Sequence, residues 1–335
     1  MKSGKHILSQ GADQEPSANQ QVIPPNFLTK FRYTRIQLIS EATSHIKLPL
    51  FAGSAFRGIF GRALRKVACV ARNTKCPECP LAARCAYPAV FEFVPNGSLP
   101  IYKTVSNPPR PFVLEPPNER EIPSGVVFKV RLTLFGKAID HWPWVIQAFA
   151  LAGHRGVGPG TGTFKVRRAL TASSQDILVE GDRIMGQPEI IPASDLSCPE
   201  LSDHLGLRFE TPVRIKRNGH LVDSLEFSTL VRQLLRRIAL IGAFHCDVLL
   251  NTDFRKWISL ADKVTCHKEN LHWFDWIRYS SRQNRKMHLG GLVGRVRYTG
   301  DFAPFTPLLT LGQITHLGKG TTFGLGRYRL MERTL

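Results

Sequence analysis

The stretch HLGKGTTFGLG at residues 316–326 contains four glycines in eleven residues. Much of it is repeated earlier in the chain, where HRGVGPGTG at residues 154–162 shares the pattern H-x-G-x-G-x-x-x-G. Glycine loses more conformational freedom on folding than any other residue, so a cluster of glycines needs a reason. The repeated pattern indicates that the two halves of the chain contain copies of one unit.

Predicted elements precede each glycine loop in a similar order. The first half has a strand at 31–40, a helix with one apolar face at 56–67, a strand at 125–136 and a helix after Asp140. The second half has a helix with the same apolar spacing from Phe227, a strand at 291–300 and a helix at 303–314. This order is that of the ferredoxin-like βαββαβ unit. We therefore predict an α+β fold of two tandem ferredoxin-like domains.

The composition of the segments between these elements places the domain boundaries. Residues 1–26 are polar, rich in glutamine and without periodicity, which predicts a disordered tail. The first domain is predicted at 27–175 and the second at 205–335. Residues 176–204 carry few periodic signals and are predicted to be a linker or an irregular excursion.

The charge of the chain predicts a polyanionic partner. The sequence has 45 Lys and Arg against 26 Asp and Glu, a formal net charge of +19. Such an excess favours nucleic acid over an anionic membrane. The chain has no apolar run near the roughly 20 residues of a spanning helix, and its start lacks the apolar stretch of a secretory signal. We therefore expect a cytoplasmic protein that does not bind membranes.

The glycine loop at 316–326 does not fit the common phosphate-binding motifs. Gly320 follows Lys319 where a P-loop needs a hydroxyl residue, and the glycines follow a predicted helix rather than opening one as a dinucleotide site requires. A wide loop with bare backbone amides that bind the phosphates of an extended strand fits the pattern. A helix C-cap followed by a tight turn is the structural alternative.

Four cysteines of the first half are spaced C-x6-C-x2-C-x5-C, and reduced cysteines at such spacing are typical metal ligands. They are Cys69, Cys76, Cys79 and Cys85. We predict a structural zinc site in a Cys-rich insertion of the first domain. An iron–sulfur cluster on the same ligands and four unlinked thiols are the alternatives.

The sequence resembles a known family in four stretches. They are FAGSAFRGIFGRALR (51–65), CPECPLAARCAYPAVFE (76–92), RYSSRQNRKMHLGGLVG (278–294) and HLGKGTTFGLGRY (316–328). Together with the duplicated fold and the basic charge, they resemble the RAMP superfamily of CRISPR proteins. The resemblance is strongest to its precursor-crRNA-processing endoribonucleases, in the branch with a cysteine cluster.

The resemblance implies an endoribonuclease that cleaves CRISPR repeat RNA without a metal. In such enzymes the 2′-hydroxyl attacks the neighbouring phosphate and leaves a 2′,3′-cyclic phosphate. It equally implies an alternative, a non-catalytic RAMP subunit that holds the 5′ tag of crRNA in an effector complex. The implied partners are repeat RNA or crRNA, with other CRISPR effector subunits in addition.

The chemistry implied by the resemblance needs a base, an acid and a cation at the phosphate. His45 and Lys47 lie between the first strand and the first helix, where many of these nucleases keep their base. His316 opens the glycine loop and is the second candidate. A surface role for His45 and a structural cap for His316, which His154 repeats in the first half, are the alternatives.

The predicted RNA contacts are basic, aromatic or glycine residues near these motifs, because basic residues hold phosphates and aromatic rings stack on bases. They are Arg57, Arg65, Arg278, Tyr279, Arg282, Lys286, Gly318, Lys319, Gly320, Gly324 and Gly326.

Overall fold

The computed structural model describes residues 21–92, 105, 107–217, 219–280 and 285–331. The helices of the first half are α1 (Pro25–Lys30), α2 (Gly53–Ala68), α3 (Ala86–Val90) and α4 (Trp142–Arg155). Its strands are β1 (Arg32–Ala42), β2 (Ile46–Lys47), β3 (Phe112–Glu115), β4 (Glu121–Ile122), β5 (Val127–Phe135), β6 (Phe164–Thr171), β7 (Ile177–Glu180), β8 (Arg183–Ile184) and β9 (Ile191–Pro192).

The second half repeats the long elements of the first. Its helices are α5 (Phe227–His245), α6 (Phe254–Asp262) and α7 (Thr306–Thr315). Its strands are β10 (His204–Val213), β11 (Lys216–Arg217), β12 (His220–Leu221), β13 (Thr265–Phe274), β14 (Ile277–Ser280), β15 (Arg285–His288), β16 (Gly291–Thr299) and β17 (Tyr328–Met331).

The two large sheets confirm the predicted duplication. The first sheet has the strand order β3-β5-β1-β6, with β7 and β8 added beyond β6 and β9 paired to the start of β1. The second sheet has the order β13-β16-β10-β17. In each half the first strand therefore lies between the third and fourth strands of a βαββαβ unit, and all of these pairs are antiparallel. The chain is an α+β protein of two ferredoxin-like halves.

The apolar residues that recur periodically in the sequence form the two cores. In the first half, buried Phe128, Val130 and Leu132 alternate with the more exposed Lys129 and Arg131 along β5. The apolar face of α2 packs on this sheet and against α4, so that its aromatic side chains become fully buried. The second core is built in the same way from α5, α7 and the inner face of the second sheet.

The start of the described chain differs from the predicted tail. Val22 and Ile23 are fully buried, and the backbone N–H of Val22 donates to the carbonyl of Pro304 at 3.0 Å. These two side chains belong to the core of the second half, although they precede the first strand of the first half. The polar composition of the flanking sequence hides this short apolar anchor. The rest of the predicted tail, residues 1–20, lies outside the described residues.

The segment 176–204, which was predicted to be a linker, contributes three short strands to the first sheet. β7 pairs with β6, β8 pairs with β7, and β9 pairs with β1. Leu178 lies in the core of the first half. Strands of two to four residues are too short to show periodicity, so the sequence does not reveal them.

Within the described residues, no helix combines the length and apolar character that crossing a membrane requires.

Candidate functional site

His45 and Lys47 lie side by side on an exposed ribbon of the first half. Lys47 ends β2, which pairs with β4 so that Ile46 faces Ile122 and Lys47 faces Glu121. Ile46 is fully buried, and because side chains alternate along a strand, His45 and Lys47 share the opposite, exposed side. The Nε2 of His45 lies 3.7 Å from Oε2 of Glu121. The structure thus brings these two predicted catalytic residues together.

The first glycine loop holds the backbone of this ribbon. A Cβ atom at Gly158 would overlap the carbonyl oxygen of Lys47, and one at Gly162 would lie 2.6 Å from the carbonyl oxygen of His45. The backbone N–H of Thr163 donates to Oγ of Ser44 at 2.8 Å. The glycines after α4 therefore let the loop pack directly under the candidate base.

The second glycine loop has the same construction, which gives its glycines a structural role. Gly318, Gly320, Gly324 and Gly326 all have φ between 76° and 88°, a left-handed conformation that favours glycine. A Cβ atom would meet the carbonyl oxygen of Arg214 at Gly318, of Leu114 at Gly324 and of Leu317 at Gly326. The chain's own backbone closely approaches these three glycines in the structure.

The amides of this loop are also largely engaged inside the protein. The N–H of Lys319 donates to the carbonyl of Arg214 at 2.8 Å, and that of Gly326 to the carbonyl of Pro212 at 3.1 Å. The side chain of Lys319 is exposed, whereas Gly324 and Gly326 are buried. An RNA contact by Lys319 and the partly exposed Gly318 and Gly320 stays a prediction. For Gly324 and Gly326, burial argues against it.

His316 is buried and cannot meet RNA directly, contrary to the prediction. Its side chain is 1% exposed, and Nδ1 lies 3.1 Å from the carbonyl oxygen of Leu325, which requires the proton on Nδ1. Burial lowers the pKa of His316 to about 4, despite the opposing effect of Glu115. With a φ of 59° it ends α7 and turns the chain into the loop. It is the structural cap that the sequence left as the alternative.

Buried neutral histidines make the stability of the fold depend on pH. Burial also lowers the pKa of His245 to about 4, and its Nε2 lies 2.8 Å from the carbonyl oxygen of Pro109 in the other half. In the unfolded chain both imidazoles titrate near the ordinary value of about 6.5. Between about pH 6.5 and pH 4 the unfolded chain thus binds more protons, and stability falls as the pH falls.

We expect acidification from about pH 7 to about pH 5.5 to remove about 1 kcal/mol of unfolding free energy for each of these two histidines. Urea unfolding at both pH values measures the change. His316→Asn keeps a side-chain N–H donor and tolerates positive φ, so this variant should lose only about half as much as the wild type. An equal loss in both proteins would contradict the assignment of His316 as a neutral group.

Arg57 joins α2 of the first half to the second glycine loop. Its Nε donates to Oγ1 of Thr322 at 3.0 Å, and its guanidinium lies over the rings of Phe91 and Phe323 at 4.4 and 5.1 Å from their centroids. Arg65, two turns further along α2, is exposed, with its guanidinium 5.7 Å from the ring centroid of Tyr87. Arg57 therefore has a structural role, and an RNA contact by Arg65 stays a prediction.

A buried carboxylate connects the two sheets. Glu115, at the end of β3, pairs with Arg35 of the first half and with Arg327 of the second, at 3.4 and 3.1 Å. Burial opposes ionisation of Glu115, but the positive charges around it lower the pKa of its carboxyl. Sequence reasoning missed this network because its members lie far apart in the chain. The one sign of this network in the sequence was Glu115, an acidic residue at the end of the apolar run FVLE.

The stretch around residues 278–294 contains the antiparallel pair of β14 and β15, whose register pairs Arg278 with Met287 and Tyr279 with Lys286. The side chains of Arg278, Tyr279 and Lys286 lie outside the described part of the structure, as does the whole of Arg282. Their predicted RNA contacts therefore stay predictions. The hairpin follows Trp276, which packs against Phe51 of the first half with ring centroids 5.0 Å apart.

The structure does not support the predicted zinc site. Across the described ranges, which include all four cysteines, no group of three or more His, Cys, Asp or Glu side chains is arranged to hold a metal ion. The four thiols are free, and the Sγ of Cys85 donates to the carbonyl of Ala68 at 3.7 Å. Burial raises the pKa of Cys76, which favours its thiol form. Spacing alone could not predict how these thiols are directed.

Comparison with known proteins gives a family-model match in each half, and the match in the second half is to a CRISPR-associated family. Residues 207–328 match the family model of the CRISPR-associated endoribonuclease Cas6, and residues 31–190 match a family model of an N-terminal domain. An uncharacterised protein of Archaeoglobus fulgidus is 23% identical over 300 residues, which cover 84% of this chain and 92% of that protein.

Solved Cas6 structures share the fold. Thermus thermophilus Cas6 in its product complex has a TM-score of 0.54 at 15% identity and covers 89% of this chain and 99% of its own. A second Cas6 product complex has a TM-score of 0.51 at 21% identity, with 90% and 100% covered. A chain of a partial Cas6-RT-Cas1–Cas2 complex has a TM-score of 0.58 at 12% identity, with 94% and 48% covered.

At these identities the structural likeness concerns the fold alone. Residues 207–328 match the Cas6 endoribonuclease family model, and the chain shares the fold of solved Cas6 structures.

Proposed function

We propose that this protein is a metal-independent endoribonuclease that cleaves CRISPR repeat RNA in precursor transcripts to give mature crRNAs. The match of residues 207–328 to the Cas6 endoribonuclease family is the observation that carries the proposal. The exposed pair His45 and Lys47, held by the first glycine loop, supplies side chains suited to the chemistry.

The proposed reaction is a transesterification at one phosphodiester. The 2′-oxygen attacks the adjacent phosphorus, the bond from phosphorus to the 5′-oxygen breaks, and the products carry a 2′,3′-cyclic phosphate and a 5′-hydroxyl. A base must take the proton from the 2′-hydroxyl, and an acid must protonate the leaving 5′-oxygen. Histidine is the side-chain type most used for proton transfer in catalysis, so His45 is the candidate base, and Lys47 beside it suits stabilisation of the negative phosphorane.

RNA is the partner that the charge of the chain favours, with 45 basic against 26 acidic residues. Two of the similar Cas6 structures are product complexes, and a third forms part of an assembly with Cas1 and Cas2. For this chain we propose repeat RNA as the substrate and other CRISPR proteins as further partners.

Incubation of the purified protein with repeat RNA in EDTA tests the proposal. We expect cleavage to a 2′,3′-cyclic end, and we expect one 2′-deoxy substitution at the cut site to abolish it because the nucleophile is then missing. Tight binding of RNA that stays intact would instead favour a non-catalytic RAMP subunit that holds the crRNA 5′ tag. Loss of cleavage in EDTA with recovery on adding zinc would contradict the metal-independent mechanism.

A further inference from the structure

A cleft of about 900 Å³ runs along α2 on the side of the first glycine loop. Its walls come from α2, from Tyr87 and Phe91 at and just after α3, and from Trp276 of the second half. Gly158 and Pro159 border it, and Gly158 packs on the carbonyl of Lys47. The cleft therefore opens beside the ribbon that carries His45 and Lys47, and its volume lies within the range of about 300–1,000 Å³ that is typical of ligand pockets.

The charged side chains of the cleft are almost all cationic. Four arginines line it, and Glu92 is the one acidic residue among its described lining residues. Arg57 and Arg110 bind other protein groups and support the walls. Arg62 and Arg65 are exposed, and Nη2 of Arg65 also donates to the carbonyl of Arg72 at 3.4 Å. Two exposed guanidiniums in a groove of this kind favour a ligand with phosphate groups.

Aromatic side chains also line the cleft, which favours a ligand with a flat base. Phe91 and Tyr87 stack with centroids 5.8 Å apart, and Phe51 packs against Trp276 with centroids 5.0 Å apart. Trp276 is 5% exposed, and its indole Nε1–H has no hydrogen-bond partner among the described residues. A buried donor of this kind is costly unless it finds a partner, so a ligand acceptor near it would be stabilising.

The surface of α2 lacks a side chain at Gly58, one of the residues that face the cleft. A Cβ atom at Gly58 would meet only the guanidinium of Arg62, at 3.7 Å, within the described surroundings. Glycine in a helix is less favourable than alanine by about 1 kcal/mol, and no neighbouring group in contact requires it here. Gly61, one turn further on, differs because the ring of Phe91 occupies the space of its Cβ. The absence of a side chain at Gly58 keeps the cleft open.

We propose that this cleft binds an unstacked nucleotide of the repeat RNA beside the cut, with its base against the aromatic wall and its phosphate at Arg62 and Arg65. The inference rests on the proposed function, because it takes repeat RNA as the ligand. The proposed subsite is separate from the candidate catalytic residues His45 and Lys47.

Gly58→Leu and the double variant Arg62→Ala/Arg65→Ala test the subsite. The probe is fluorescently labelled repeat RNA with a 2′-deoxy nucleotide at the cut, so that binding is measured without cleavage. We expect each variant to weaken binding by about 10-fold, since one stacked base contributes about 1–3 kcal/mol. The double variant should also flatten the salt dependence of binding, whereas Gly58→Leu should leave its slope unchanged.

Arg236→Ala is the matched control, because Arg236 is exposed on α5 at the position that Arg65 occupies on α2. Its affinity should stay within twofold of the wild type. Thermal unfolding should show Gly58→Leu at least as stable as the wild type, since leucine favours a helix. Wild-type affinity in both cleft variants would overturn the subsite alone. A wild type that binds repeat RNA no better than unrelated RNA would overturn the proposed function as well.

Discussion

His45→Ala is expected to slow the cutting of repeat RNA by about 10²–10⁴-fold, the usual contribution of a positioned acid or base. RNA affinity should stay within twofold, because one exposed imidazole just before a two-residue strand adds little to a chain with this excess of positive charge. The burial of His316 strengthens this expectation. With His316 inside the protein, His45 becomes the more accessible of the two candidate histidines.

Single-turnover cleavage with excess protein measures the rate of RNA cutting. The fluorescently labelled repeat RNA with a 2′-deoxy nucleotide at the cut gives the RNA affinity. His204→Ala is the matched control, since His204 is also exposed beside a carboxylate, with Nδ1 2.9 Å from Oδ1 of Asp203, but starts β10 in the other half. The control should cut at the wild-type rate. Equal rates for His45→Ala and the wild type would remove His45 from the reaction and leave Lys47, or a residue outside the described ranges, to supply the base.

Local periodicity was enough to predict the fold. The apolar stripe of α2 and the alternation along β5 each depend on residues close together in the chain, and the repeated glycine pattern identified the second copy. The strand order, the same in both sheets, follows once those elements form ferredoxin-like units. The short strands β7, β8 and β9 and the anchor at Val22 and Ile23 were missed because two to four residues carry no readable period.

The role of the glycine loop could not be predicted because sequence does not identify what approaches a glycine. The glycine cluster correctly indicated a close approach to the backbone. At three of the four glycines the approaching atoms are carbonyl oxygens of Arg214, Leu114 and Leu317, which come from three separate places in the chain. The burial of His316 depends on the same packing. A pattern shared with RNA-binding proteins therefore has, in this chain, a direct structural cause.

The contact between the halves also escaped prediction, although one glycine signals it. Gly53 begins α2, and a Cβ atom there would overlap the carbonyl oxygen of Phe323 in the second glycine loop. Phe323 cannot easily move away, because its N–H donates to the carbonyl of Gly320 at 2.8 Å and it lies between two glycines held at positive φ. The first turn of α2 thus packs on the loop, backbone against backbone.

Gly53→Ala is therefore expected to lower the unfolding free energy by about 3 kcal/mol, the upper end of the usual cost of overpacking, because backbone atoms rather than a flexible side chain must shift. Gly58→Ala, in the same helix, should instead raise stability by up to about 1 kcal/mol, since its Cβ enters open space. Urea unfolding of both variants measures the difference. Because helix propensity favours alanine at both positions, a loss confined to Gly53 has to come from the contact with Phe323. Equal stability of the two variants would mean that α2 and the loop do not press on each other at Gly53.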